Sequence, residues 1–176
     1  MKWPFKKKSA PSDEVYAIYN IIVAQSRQEE FFTDFSIKDS VTGRFDILSM
    51  HMCLVFIRLR DAKIEEKDFP QSLFDLFFKD MDQSLREIGI SDVVIPKKIQ
   101  KLGSLFYGLL EQLTIAIDAN DKDALVNLLN RNIYDEKNLA QSKILANYVL
   151  KTDKQLKEQS LRDIFSGKLE FSKPNS

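Results

Sequence analysis

What this sequence has little of narrows it first. A single cysteine, Cys53, leaves no partner for an internal disulfide, which suits a reducing compartment. There is one histidine, no paired-cysteine metal spacing, no glycine-rich phosphate loop and no serine elbow, so the usual local signatures of metal, nucleotide and acyl-transfer chemistry are missing. Glycine and proline number five each, and no repeat, low-complexity tract or domain linker is visible. Charge of one sign is not in excess either. Lysine plus arginine and aspartate plus glutamate both total 26, so no global field steers the chain toward DNA and none is expected as a partner. The longest uncharged runs, residues 15–26 and 47–57, fall well short of the roughly 20 residues a membrane-spanning helix needs. Residues 1–8 are basic but lack the apolar stretch of a secretory signal, which points to the cytoplasm.

What is present is helical periodicity. The 176 residues suit one domain able to bury roughly 70% of its unfolded surface. Almost every segment repeats its apolar residues at the helical period and none alternates as a strand does, so the fold class is all-α, a single bundle of six to seven helices. Ser12 caps a first helix running to about Gln28, with Asp13 and Glu14 in its first turn. Phe45, Leu48, Met52, Val55, Phe56 and Leu59 mark a second helix that is apolar nearly all round and therefore central. Residues 69–89 form a third, opened by Pro70 and closed by Gly89. Its stripe is Leu73, Phe77, Met81, Leu85 and Ile88, widened by Phe74 and Phe78, and Asp75–Lys79 and Asp82–Arg86 pair at i,i+4 on the other side. Pro96 starts a fourth helix in which Gly103 and Gly108 call for closely packed neighbours. Shorter helices are expected over 122–131, 136–151 and 154–165. Residues 1–11 read as a flexible basic and aromatic tail, 12–168 as the helical domain and 169–176 as a disordered tail.

No constellation of residues demands catalysis. Asp75, Asp80 and Asp82 superficially resemble a metal motif, yet Asp80 lies about 140° round the helix from Asp75 and the other two have cations four residues on. His51 and Cys53, two apart on a helix, point in different directions and read as a core or groove histidine and an inert buried thiol. The chain is expected to be non-enzymatic and to hold no cofactor or metal.

Contact features are more evident. Trp3 and Phe5 interleave with Lys6, Lys7 and Lys8, a composition suited either to an anionic membrane surface or ribosomal RNA, or to a solubilising tail. Lys97, Lys98 and Lys101 cluster where the fourth helix begins, either to hold a phosphate or to stay solvated. The 13 phenylalanines exceed what a modest core requires, so an aromatic groove for a partner helix competes with plain core packing.

Two runs give these features a context: GRFDILSMHMCLVFIRLR at residues 43–60 and LFDLFFKDMDQSLREIGISDVVIPKKIQKLGSLFYG at 73–108. Gly43-Arg44-Phe45-Asp46, His51, Leu73-Phe74-Asp75, Asp80-Met81-Asp82, Leu85-Arg86-Glu87, Gly89, Asp92, Ile95-Pro96-Lys97 and Phe106-Tyr107-Gly108 closely resemble the ubiquinol–cytochrome c chaperone family. The resemblance implies an α-helical assembly factor for the cytochrome bc1 complex that shelters newly made cytochrome b, with mitochondrial relatives working beside the ribosomal tunnel exit. A bacterial version would act at the cytoplasmic face of the inner membrane, with cytochrome b or bc1 assembly intermediates as partners, and the ribosome and an anionic membrane as further contacts. Arg44, Asp46, Asp75, Phe78, Asp82, Arg86, Lys97, Lys98 and Tyr107 then become candidate partner-binding or network residues. The competing role for Arg44 and Asp46 is structural, bracing the second helix by ion pairing with Asp82 or Arg86. The alternative function is a general helical interaction module or membrane-docked adaptor unrelated to respiration.

Overall fold

The computed structural model describes residues 10–62 and 68–174. Among these are seven α-helices, one short 3-10 turn at Glu29–Phe31 and no strand. The helices are α1 (Asp13–Ser26), α2 (Val41–Leu59), α3 (Asp68–Glu87), α4 (Ile95–Asp118), α5 (Lys122–Tyr134), α6 (Leu139–Glu158) and α7 (Leu161–Phe165). None of the described helices is long and apolar enough to cross a membrane.

Local chemistry sets most of the boundaries. The side chains of Ser12, Ser40, Asp121, Asn138 and Ser160 each accept a backbone N–H three residues on, capping α1, α2, α5, α6 and α7. Such a cap typically stabilises a helix by about 1 kcal/mol. Gly89 (φ 85°) closes α3, with its N–H bonded to Arg86 O and that of Ile90 to Leu85 O, the paired pattern of a left-handed helix stop.

α2 is the central element. It packs against α1, α4, α5 and α6, and Ile47, Met50, Met52, Cys53, Leu54 and Val55 are all fully buried on it. The His51 imidazole is also fully buried on it. The carbonyl of Ile47 can only accept, so Nδ1, 2.8 Å away, carries the proton. Nε2 then accepts from the Tyr148 hydroxyl at 2.7 Å, which accepts in turn from the Gln25 amide at 2.9 Å. The rings of Phe31, Tyr148 and Phe171 stand edge-on to the imidazole. Burial drives the His51 pKa down to about 4, so the ring is neutral wherever the chain is folded at ordinary pH.

Two expected boundaries are corrected. The helices anticipated at 136–151 and 154–165 are instead Leu139–Glu158 and Leu161–Phe165. Thr152 and Asp153 are buried inside α6 and Asp153 pairs with Lys157, while Arg58 of α2 donates to Leu156 O and Gln159 O and so ties off the α6 terminus. The second correction concerns the C-terminus. Residues 169–174 are not a free tail: Leu169 and Ser172 are buried, Ser172 O accepts from Gln25, and the Gln159 side chain bonds both backbone groups of Glu170. The chain here has few apolar residues, and its backbone polar groups are held by side chains from α1 and α6 instead. The expected tail over 1–11 lies outside the described residues up to Ser9.

Gly43, in the first turn of α2, is a steric requirement. A Cβ there would sit 2.0 Å from the backbone oxygen of Lys38. Gly43→Ala is predicted to destabilise the fold by roughly 2 kcal/mol net, the overpacking cost outweighing alanine's better helix propensity. Urea unfolding checks this; a variant at least as stable as the parent would contradict it.

Candidate functional site

An aromatic cluster sits where α2, α3 and α4 meet. Phe106 of α4 and Phe77 of α3 are essentially fully buried. Around them the rings of Phe56, Phe74, Phe78 and Tyr107 lie at 5.4 to 6.4 Å or closer, with Phe74 and Phe78 only 4.6 Å apart. Aromatic pairs at such spacings add about 0.5–1.5 kcal/mol beyond the area they bury. The helical period explains the division of labour. Phe77 points inward, whereas Phe74 and Phe78, three before and one after it, flank it and stay half-buried. Phe78 lies 3.8 Å from the Cβ position of Gly103, an ordinary contact that alanine could also make, and Gly108 has nothing near it, so neither glycine serves the close approach expected of it.

The outer side of this cluster is a groove of about 350 Å³ lined by Phe56, Leu59, Arg60, Ala62, Pro70, Gln71, Phe74, Phe106, Tyr107 and Leu110. Its size falls in the range of ligand-binding clefts. Its polar lining is limited to Arg60, Gln71 and the Tyr107 hydroxyl. Arg60 makes a bidentate pair with Asp118 at 2.6 and 2.8 Å, and Gln71 donates to Asp75 at 2.9 Å. Tyr107 is 49% exposed, and its phenol is held above the ordinary value by partial burial and then by the nearby Asp75 charge. A wall of rings with charges only at the rim suits an apolar segment and offers no buried nucleophile or base.

The remaining predicted site residues do not converge on this groove. Asp80 accepts from Tyr19 at 2.6 Å, tying α3 to α1, and Asp82 accepts from Arg86, which also pairs with Asp92. Asp75, Asp80 and Asp82 thus serve three separate partners. Arg44 is not bonded to Asp82 or Arg86 as the bracing alternative had it; it forks onto Asp39 at 2.7 and 3.1 Å and lies over the Phe32 ring. Both partners are exposed, so this pair contributes little to stability. Asp46 is half-buried on α2, and burial, followed by the charge of Asp135, raises its pKa to about 7. Lys97 and Lys98 are exposed on the first turn of α4. Trp3, Phe5, Lys6, Lys7 and Lys8 lie outside the described residues. Sequence reasoning missed Arg60, Gln71 and Asp118 as groove edge, because their convergence depends on three helices meeting.

The described residues thus form an all-α helical bundle with an open aromatic groove between α2, α3 and α4. The chain belongs to the ubiquinol-cytochrome C chaperone family, whose profile matches residues 33–171. It is similar to the ubiquinol-cytochrome-c reductase complex assembly factor 1 of Xenopus laevis, with 22% identity over 138 residues, 76% of this chain and 68% of that protein. It also superposes on the crystal structure of the Cbp3 homolog from Brucella abortus with a TM-score of 0.86 and 35% identity, covering 94% of this chain and 92% of that one.

His51 and Asp46 give the fold opposing pH responses. The folded pKa of His51 is depressed from its ordinary 6.5, so its contribution is complete above pH 6.5 and lost as pH falls toward 4. The folded pKa of Asp46 is raised, so its contribution is complete below the ordinary 3.8 and lost as pH rises through about 7. Asp46→Asn is predicted to leave only the histidine response. The variant should gain on the order of 2 kcal/mol over the parent at pH 8, allowing for the part exposure of Asp46, and its stability should climb steeply between about pH 4 and 6.5. Urea midpoints across that range check it; parallel curves for the two proteins would contradict it.

Proposed function

We propose that this protein is a non-catalytic chaperone for assembly of the cytochrome bc1 complex, and that the groove between α2, α3 and α4 shelters an apolar segment of newly made cytochrome b. Family membership and the name of the Xenopus laevis relative support the process. The observation that carries the groove as client surface is its edge of Phe74 and Tyr107, two rings left partly in water above a closed aromatic core. A transmembrane segment leaving the ribosome presents apolar side chains to water, and rings offer it a large contact area with little rotamer freedom to lose. The charged rim of Arg60, Asp75 and Asp118 keeps the unoccupied groove soluble. The work is placed at the cytoplasmic face of the inner membrane, where such a client is inserted.

Position 107 is the test. A photoreactive phenylalanine analogue placed there in cells that make the bc1 complex is predicted to crosslink to cytochrome b during its synthesis, and the same group at exposed Asp123 on α5 is not. Equal crosslinking at both positions, or recovery of unrelated proteins alone at position 107, would favour the general interaction module.

A further inference from the structure

The far end of the α3–α4 hairpin carries apolar side chains that no part of the described fold covers. Val93 is 88% exposed, Ile88 54% and Val94 43%. Turn tips are ordinarily polar, and here the apolar residues are not exposed through a loose backbone. Gly89 closes α3 with both of its terminal bonds made, Val94 N–H donates to Ser91 O at 2.8 Å, and Ile95, the next residue, is fully buried and pins the turn to the body. Directly behind the valines, Lys97, Lys98 and Lys101 are exposed, and none is ion-paired among the described residues. The neighbouring acids are engaged: Asp82 and Asp92 by Arg86, and Glu87 by Gln83.

We propose that this turn docks the protein on an anionic lipid bilayer, with Val93, Val94 and Ile88 entering the headgroup region and Lys97, Lys98 and Lys101 meeting lipid phosphates. A rigid apolar tip ringed by unpaired lysines matches the layered chemistry of a membrane interface, hydrocarbon beneath and anions above. A nucleic acid would pair with the lysines and leave the valines in water. The tip lies fourteen residues along α3 from Phe74, about 20 Å at the helical rise, so docking would hold the groove just off the bilayer surface. The inference does not depend on what the groove binds.

The full chain can be tested directly, because the other thiol, Cys53, is fully buried and raised in pKa by that burial, leaving Val93→Cys as a single reactive site for an environment-sensitive dye. Vesicles of phosphatidylcholine with phosphatidylglycerol should sediment the protein and shift the dye emission to the blue; vesicles of phosphatidylcholine alone should do neither. Lys97→Gln combined with Lys98→Gln should weaken partitioning about thirty-fold, each lysine near an anionic surface being worth about five-fold. Val93→Ser with Val94→Ser should abolish the interaction at unchanged helicity. The proposal is overturned if the protein does not sediment with anionic vesicles, or if it sediments with the dye unshifted. It is also overturned if only changes at Trp3, Phe5 and Lys6 to Lys8 release it.

Discussion

The burial of α2 on every side is the constraint from which the other arrangements follow. Between Ile47 and Val55 this helix leaves no face for water, so its flanking helices must wrap it and a buried polar side chain there needs a partner inside, which Ser49 Oγ lacks and His51 has. His51 illustrates the second demand: it is tolerated because it is neutral, donates to the carbonyl one turn back and accepts from Tyr148. That same chain of bonds reaches Gln25 and then Ser172 O, so one buried ring links α1, α2, α6 and the C-terminal segment. Gly43 meets the first demand at the other end, where the backbone of Lys38 crosses the helix start at contact distance.

The groove is the place where this wrapping stops short. Toward its C-terminal end α2 presents Phe56 between α3 and α4, and the rings there outnumber the positions that can be closed. Phe77 and Phe106 complete the core, and Phe74, Phe78 and Tyr107 form its open border. Core and proposed client surface are thus two sides of one aromatic cluster. The packing that stabilises the bundle also fixes the wall of the groove.

Much of this is written locally in the chain. Ser12, Pro96 and Gly89 punctuate helices where their own chemistry predicts, and the apolar circumference of α2 identified it as the centre. Phe74, Phe77 and Phe78 were legible as one stripe. Which of them meets water was not, because that depends on how α2 and α4 pack against α3. Long-range polar partners were equally hidden. Asp46 lies near enough to Asp135, just past α5, for their charges to repel, and the C-terminal segment is ordered by Gln25 of α1 and Gln159 just past α6. Neither approach leaves a periodic or spaced signal, since groups far apart in sequence are brought together by tertiary packing.

The central claim is that the open aromatic border acts on the bc1 complex and does more than decorate a stable fold. The most direct measurement is the membrane content of cytochrome bc1, read from its b- and c-type haem spectra, in cells whose only copy of this protein carries Tyr107→Glu. Tyr107 is half in solvent, so the exchange should leave helicity and unfolding midpoint near those of the parent. The account predicts that bc1 is lost as completely as in a deletion strain while the other respiratory complexes stay at normal levels. Normal bc1 content in that strain, with the variant folded and present in normal amount, would contradict it.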